Sequence, residues 1–139
     1  MNEHDSSLLD KIISSKQVSD ISHFNPIETV SALLKLVTDK EEDILRRRYG
    51  LSGEQEETLE EIGNHFNVTR ERIRQIENSS IKKIKSAPEF KNLTGEVESI
   101  ITHLIHKHGG LMEKDYFYEN LLSYAGDNDT NRNAVRFLM

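Results

Sequence analysis

The chain has 139 residues, 30% of them charged and 35% apolar, and a formal net charge of −6. That is room for one ordinary domain or two small ones, with little core to spare. No apolar run approaches the roughly 18–20 residues of a membrane span, and the opening "MNEHDSSLLD" lacks the basic-then-apolar layout of a secretion signal. Cysteine is absent, which excludes a disulfide framework and thiolate metal sites and fits a reducing cytoplasm. The four Asn-x-Ser/Thr sequons at Asn67, Asn78, Asn92 and Asn128 are then chance matches to a short pattern.

Residues 1–24 form a polar N-terminal segment, partly helical or disordered, whose stripe of Leu8, Leu9, Ile12 and Ile13 is too short to be stable alone. "NPIETVSALLKLV" predicts a helix with Asn25 as N-cap and Pro26 at its first position. Its apolar stripe is Ile27, Val30, Leu33, Leu34 and Val37. Thr38-Asp39-Lys40-Glu41 matches a capping box and opens a helix that runs through Ile44, Leu45 and Arg46-Arg47-Arg48 to Gly50, a left-handed C-cap. "SGEQEE" reads as a solvated loop. Thr58-Leu59-Glu60-Glu61 is a second capping box, for a short helix with Leu59, Ile62 and Phe66 inward. Asn67 suits the left-handed turn after it, and Thr69 caps a longer helix ending shortly before Pro88. Short helix, tight turn and longer helix over residues 58–85 have the punctuation of a helix-turn-helix.

Charge is sorted along the chain. Residues 1–32 carry net −3, residues 33–92 are neutral and residues 93–139 carry net −3. Within the neutral part, residues 69–85 hold Arg70, Arg72, Arg74, Lys82, Lys83 and Lys85 against Glu71 and Glu77, a local +4. At about 100° per residue, Ile73, Ile76, Ser80, Ile81 and Ile84 share one arc of roughly 140°. Glu71, Arg74, Gln75, Asn78, Lys82 and Lys85 gather on the other side, with Arg70 at the N-terminal edge. Two readings fit this face. One is a solvated helix laced with pairs such as Glu71–Arg74 and Arg74–Glu77, each worth about 0.2–0.5 kcal/mol. The other is a DNA-reading surface. Arginine can donate bidentately to guanine, glutamine can pair with adenine and glutamate can accept from cytosine, while lysines neutralise phosphates. In a helix-turn-helix the N-terminal half of the second helix meets the base edges, and here that half carries Arg70, Glu71, Arg74 and Gln75.

"LVTDKEEDILRRRYGL", "TLEEIGNHFNVTRERIRQIE" and "SSIKKIK" closely resemble, in order and spacing, region 4 of the bacterial sigma-70 family of RNA polymerase sigma factors, over about residues 36–87. The resemblance implies that the second helix recognises a minus-35 promoter element while the domain docks on the flap of the polymerase β subunit. Arg70, Glu71, Arg74 and Gln75 stand where the family contacts bases. Lys40, Arg46, Arg48, Thr58, Leu59 and Glu60 stand at positions associated with the DNA backbone, Leu59 and Glu60 through backbone groups or position. Arg72, Asn78, Lys82 and Lys85 complete the expected backbone set. Arg72 has an internal salt bridge as its other option, and Lys82 lies where family members meet activators. Ser79 departs from the basic residue usual at its position. Only about 37 residues precede the match, without the aromatic-rich basic helix that promoter melting needs. The expectation is therefore not a complete primary sigma factor.

Residues 93–139 are expected to form a second small helical unit. Val97, Ile100, Ile101, Leu104 and Ile105 lie on one helix stopped by Gly109-Gly110. Phe117, Leu121, Leu122 and Tyr124 lie on another, and "NAVRFLM" begins a third that breaks off as if truncated. This faintly resembles a HARE-type winged helix-turn-helix lacking its wing, and its net −3 favours a protein contact over DNA. His103, His106 and His108 lack a cysteine to complete a zinc set and suit a helix C-terminus without metal. No catalytic arrangement and no cofactor motif stands out. The expectation is an all-α, cytoplasmic, non-enzymatic protein: a helix-turn-helix domain over residues 25–92 and a second unit over residues 93–139. It would bind double-stranded promoter DNA in concert with RNA polymerase, with a further protein partner for the C-terminal unit. The alternatives are a region 4 mimic that occupies the β flap without reading DNA, and the DNA-binding portion of a larger enzyme such as a nuclease.

Overall fold

The computed structural model describes residues 20–139, which form helices, turns and loops without a strand. The stripe Leu8, Leu9, Ile12 and Ile13 lies outside the described residues. The chain divides into two compact units, one of residues 25–95 and 128–139, the other of residues 96–127 with 20–24.

In the first unit, α1 (Pro26–Leu34) starts at Asn25, whose side chain accepts from the amides of Ile27 and Glu28 at 3.1 and 3.3 Å. It buries Val30, Leu33 and Leu34, whereas Ile27 is 39% exposed and does not join the expected stripe. α2 (Asp39–Tyr49) opens on the full Thr38–Glu41 capping box and closes at Gly50, whose φ of 64° is the left-handed cap. α3 (Leu59–Phe66) is capped by Thr58, whose hydroxyl oxygen accepts from the Glu61 amide at 3.1 Å. Here Glu61 accepts the Thr58 hydroxyl itself at 3.1 Å, which differs from the expected box. α4 (Arg70–Ser86) is capped by Thr69, which accepts from the Arg72 amide at 3.1 Å.

The turn between α3 and α4 rests on two residues. Asn67 takes φ 58°, ψ 45°. Gly63 is buried so closely under the turn that a Cβ there would stand 2.7 Å from the Val68 carbonyl oxygen. Only glycine lets the turn fold back this far, with the Val68 amide donating to the Gly63 carbonyl at 2.9 Å.

Two apolar clusters hold the unit together. Ile44, Ile62 and Ile73, all fully buried, pin α2, α3 and the first half of α4, with Leu59, Phe66, Val68 and Ile76 around them. Burial of each such side chain contributes about 1.5–3 kcal/mol. Val30, Leu33, Leu34, Leu45, Leu51, Ile84 and Ala134 form the other cluster. Ala134 belongs to α7 (Asp129–Leu138), the last helix, which packs on α1 and α2. This grouping differs from the expected division at residue 93. The apolar face of "NAVRFLM" finds its core with the helix-turn-helix, where Phe137 packs edge-on against Tyr49 with ring centroids 5.1 Å apart. Asn133 Nδ2 donates to the Gly50 carbonyl at 3.2 Å, and Arg136 pairs with Glu56.

α5 (Phe90–Lys107) contributes Phe90 and Leu93 to the first unit, and its residues from Glu96 onward belong to the second. There it buries Val97, Ile100 and Leu104. α6 (Lys114–Leu121) buries Phe117, Tyr118 and Leu121 and is capped by Glu113. Tyr124, expected in the core, follows α6 and is 60% exposed. His103 and His106 are exposed, and His108 bonds the Leu104 carbonyl at 2.9 Å.

Candidate nucleic-acid interface

α4 is anchored from beneath along its whole length. Ile73 and Ile76 enter one cluster, Ile81 and Ile84 the other, and Ser80, fully buried between them, reaches both the Ile76 carbonyl at 2.6 Å and Glu41 Oε2 at 2.7 Å. Glu41 draws α2 and α4 together. Its Oε1 accepts from Lys83 Nζ at 2.7 Å and from the Thr38 hydroxyl at 2.8 Å. The Lys83 hydrogen bond is the main reason that its carboxyl is held down at about 2; burial opposes it, and Ser80 and Thr38 add to it. Sequence pattern gave no sign of this 42-residue link. Lys83 is thus tied to the α2 cap while remaining exposed, as Lys82 and Lys85 are.

With its apolar side fixed, α4 turns Arg70, Glu71, Arg74, Gln75, Asn78, Lys82 and Lys85 outward, all exposed, together with Arg72. Arg74 lies against Glu71 as a fork, Nε to Oε2 at 3.0 Å and Nη2 to Oε1 at 2.6 Å. This lowers the Glu71 carboxyl below its ordinary range and raises the Arg74 guanidinium, the hydrogen bond between them being the largest cause for both.

Glu77 does not pair with Arg74 as the salt-bridged reading expects. Its side chain, 12% exposed, accepts the Tyr49 hydroxyl at 2.8 Å and pairs with Arg48 at 3.6 Å. Burial, then Glu77, pushes the Tyr49 phenol up to about 12. This contact binds α2 to the middle of α4.

The remaining expected backbone residues fall into two groups. Lys40 and Glu60 are exposed, with the Lys40 ammonium 5.7 Å from the Phe66 ring centre. Thr58 is exposed but serves as the α3 cap, and Leu59 packs into the Ile44 cluster. Arg46 and Arg48 are partly buried and engaged internally, Arg46 with Glu42 at 3.3 Å and Arg48 with Glu77 and, at 3.4 Å, the Glu57 carbonyl. Arg47, not singled out from sequence, pairs with Asp43 at 3.0 Å and Glu57 at 3.2 Å. Arg47 and Arg48 thereby fasten the loop before α3 to α2.

Three helices pinned by one isoleucine cluster, a left-handed Asn and a close-approach Gly in the turn, and a second helix with a polar outward face define a helix-turn-helix protein. Residues 32–86 match the family described as Sigma-70, region 4. This stretch is a sigma-70 region 4 domain. The chain is similar to the RNA polymerase sigma factor SigA of Lactococcus lactis subsp. cremoris, 42% identical over 94 residues that cover 66% of this chain and 26% of that protein. It is also similar to SigA of Listeria monocytogenes, 44% identical over 71 residues, 51% of this chain and 19% of that protein. SigA of Clostridium acetobutylicum is 46% identical over 66 residues, 48% of this chain and 18% of that protein. The chain therefore spans about a quarter or less of these relatives' length. No solved structure gives a significant match.

Proposed function

We propose that this protein binds promoter DNA in transcription initiation or its regulation, in concert with RNA polymerase. The first half of α4 lies in the major groove of a minus-35-like element, where Arg70, Glu71, Arg74 and Gln75 meet base edges. Arg72, Asn78, Lys82 and Lys85 lie along the phosphates, with Lys40, Thr58 and the start of α3 on the adjoining strand. One observation carries this reading. Every residue of the expected base-reading set is exposed on one helix whose opposite face is immobilised by two cores and the Glu41–Ser80–Lys83 link. Polymerase supplies much of the affinity through its β flap, because a chain of net charge −6 gains little nonspecific attraction to DNA.

Band shifts on duplexes with and without a minus-35-like sequence, at several salt concentrations, test the reading. Preferential retardation of the cognate duplex, lost in Arg74→Ala, is expected. Equal or absent binding to both duplexes, alone and with polymerase, would sink it.

A specific observation favours a second reading. Arg46 and Arg48 are engaged inside the domain, and the Arg74 fork is filled by Glu71, as in a region 4 mimic that occupies polymerase without reading DNA. Polymerase capture that survives Arg70→Ala and Arg74→Ala, with no sequence-dependent shift, selects that reading.

A further inference from the structure

The second unit bears a cavity of about 400 Å³, within the range of roughly 300–1,000 Å³ typical of small-molecule sites. Its lining residues belong to that unit, and none lies within the stretch matched to region 4. One wall is a face of α5. Ile100, His103, Leu104 and Lys107 recur every three or four residues and so share that face. Ile100 and Leu104 are buried and make its apolar base, while His103 and Lys107 are exposed. The other wall comes from α6 and the turn after it, with Tyr116 and Asn120 one helical turn apart and Tyr124 beyond them.

Charge is sorted around this cavity. Residues 96–127 carry six carboxylates and two lysines, yet no carboxylate of α5 or α6 lines the cavity and Lys107 does. Among the described residues, the side chains of Lys107 and His103 have no ion-pair or hydrogen-bond partner. Two rings stand with them. Tyr124 is 60% exposed and Tyr116 47%, so both offer ring surface for stacking. Tyr116 is held edge-on by His108 at 5.4 Å, and His108 is itself fixed by donating from Nδ1 to the Leu104 carbonyl at 2.9 Å. That wall is therefore set before any ligand arrives. The lining also holds acceptors. Asp20 supplies a carboxylate, and Asn120, whose Nδ2 donates to the Tyr116 carbonyl at 2.8 Å, keeps Oδ1 as an acceptor.

We infer that this cavity binds a small aromatic anion. Its flat ring packs against Tyr116 and Tyr124, and its phosphate or carboxylate meets the Lys107 ammonium and the His103 imidazole. Its hydroxyl or amino groups donate to Asp20 and Asn120 Oδ1. Nucleoside monophosphates and hydroxy- or amino-substituted aromatic carboxylates share this chemistry.

Calorimetric titration of the full chain tests the site, with the ribonucleoside 5′-monophosphates, 4-hydroxybenzoate and 4-aminobenzoate as probes. Titrations without DNA keep this test separate from the reading of DNA by α4. At least one probe should bind with Kd below about 1 mM, and at least about tenfold more tightly than inorganic phosphate or an uncharged nucleoside. Lys107→Ala and Tyr124→Ala alter exposed side chains and should leave the unfolding midpoint unchanged. Each should weaken binding at least about tenfold, whereas Lys114→Ala, which removes an exposed cation outside the lining, should not. Binding of nucleotides alone, or of carboxylates alone, assigns the anion. If no probe binds, or if binding survives either Lys107→Ala or Tyr124→Ala, the inference falls. It falls equally if Lys114→Ala weakens binding as much as Lys107→Ala, because the attraction is then one of general charge.

Discussion

Gly63 carries more of the fold than its size suggests. An alanine there gains some helix propensity, but its Cβ would meet a backbone oxygen at 2.7 Å, and that oxygen is fixed by the turn. Gly63→Ala should destabilise the unit by about 1–3 kcal/mol, read as a lower midpoint in thermal or urea unfolding. Glu41 is the other residue whose neighbours decide its behaviour. Its folded carboxyl sits at about 2 against an ordinary 4.5, so the stability it contributes is complete above about pH 4.5 and is lost as pH falls toward 2. The stability gap between the unaltered chain and Glu41→Gln should hold from neutral pH down to about 4.5, then close, as followed by denaturant unfolding across that range. At the outward face, Arg74→Ala should weaken binding to a cognate duplex by roughly 10- to 100-fold and relax preference at one base pair. Competition with single-base variants of the duplex reads that out.

Among the elements, α4 depends on both clusters. Ile73→Ala removes a fully buried side chain from the cluster that sets the helix-turn-helix angle and should cost about 2–5 kcal/mol in denaturant unfolding. The buried stripe of α4 and its outward residues were legible from periodicity, because a helix fixed on one side by Ile73, Ser80 and Ile84 must present Arg74, Gln75 and Asn78 on the other. The caps at Asn25, Thr38, Thr58 and Thr69 were legible because each is settled within three residues. Partners were not legible. Glu77 has Arg74 three residues before it, yet it turns to Tyr49 and Arg48, 28 and 29 positions earlier. Helical spacing allows an ion pair, but packing chooses among the candidates.

For the whole molecule, DNA affinity should fall steeply with salt, and Lys82→Ala should reduce the slope of log affinity against log salt by about one, uniformly across sequences. Titration at several salt concentrations measures this. The sequence alone determined the all-helical class, the helix boundaries around the turn, the region 4 identity and the composition of the α4 face. These rest on local caps, a 3.6-residue period and a motif of contiguous residues. Only the tertiary structure decided that α7 joins the region 4 core, that Lys83 is bound to Glu41, and that Arg46 and Arg48 point into ion pairs. The physical reason is the same in each case. An amphipathic face or a charged side chain states what it needs, and only the folded chain brings up the surface that satisfies it.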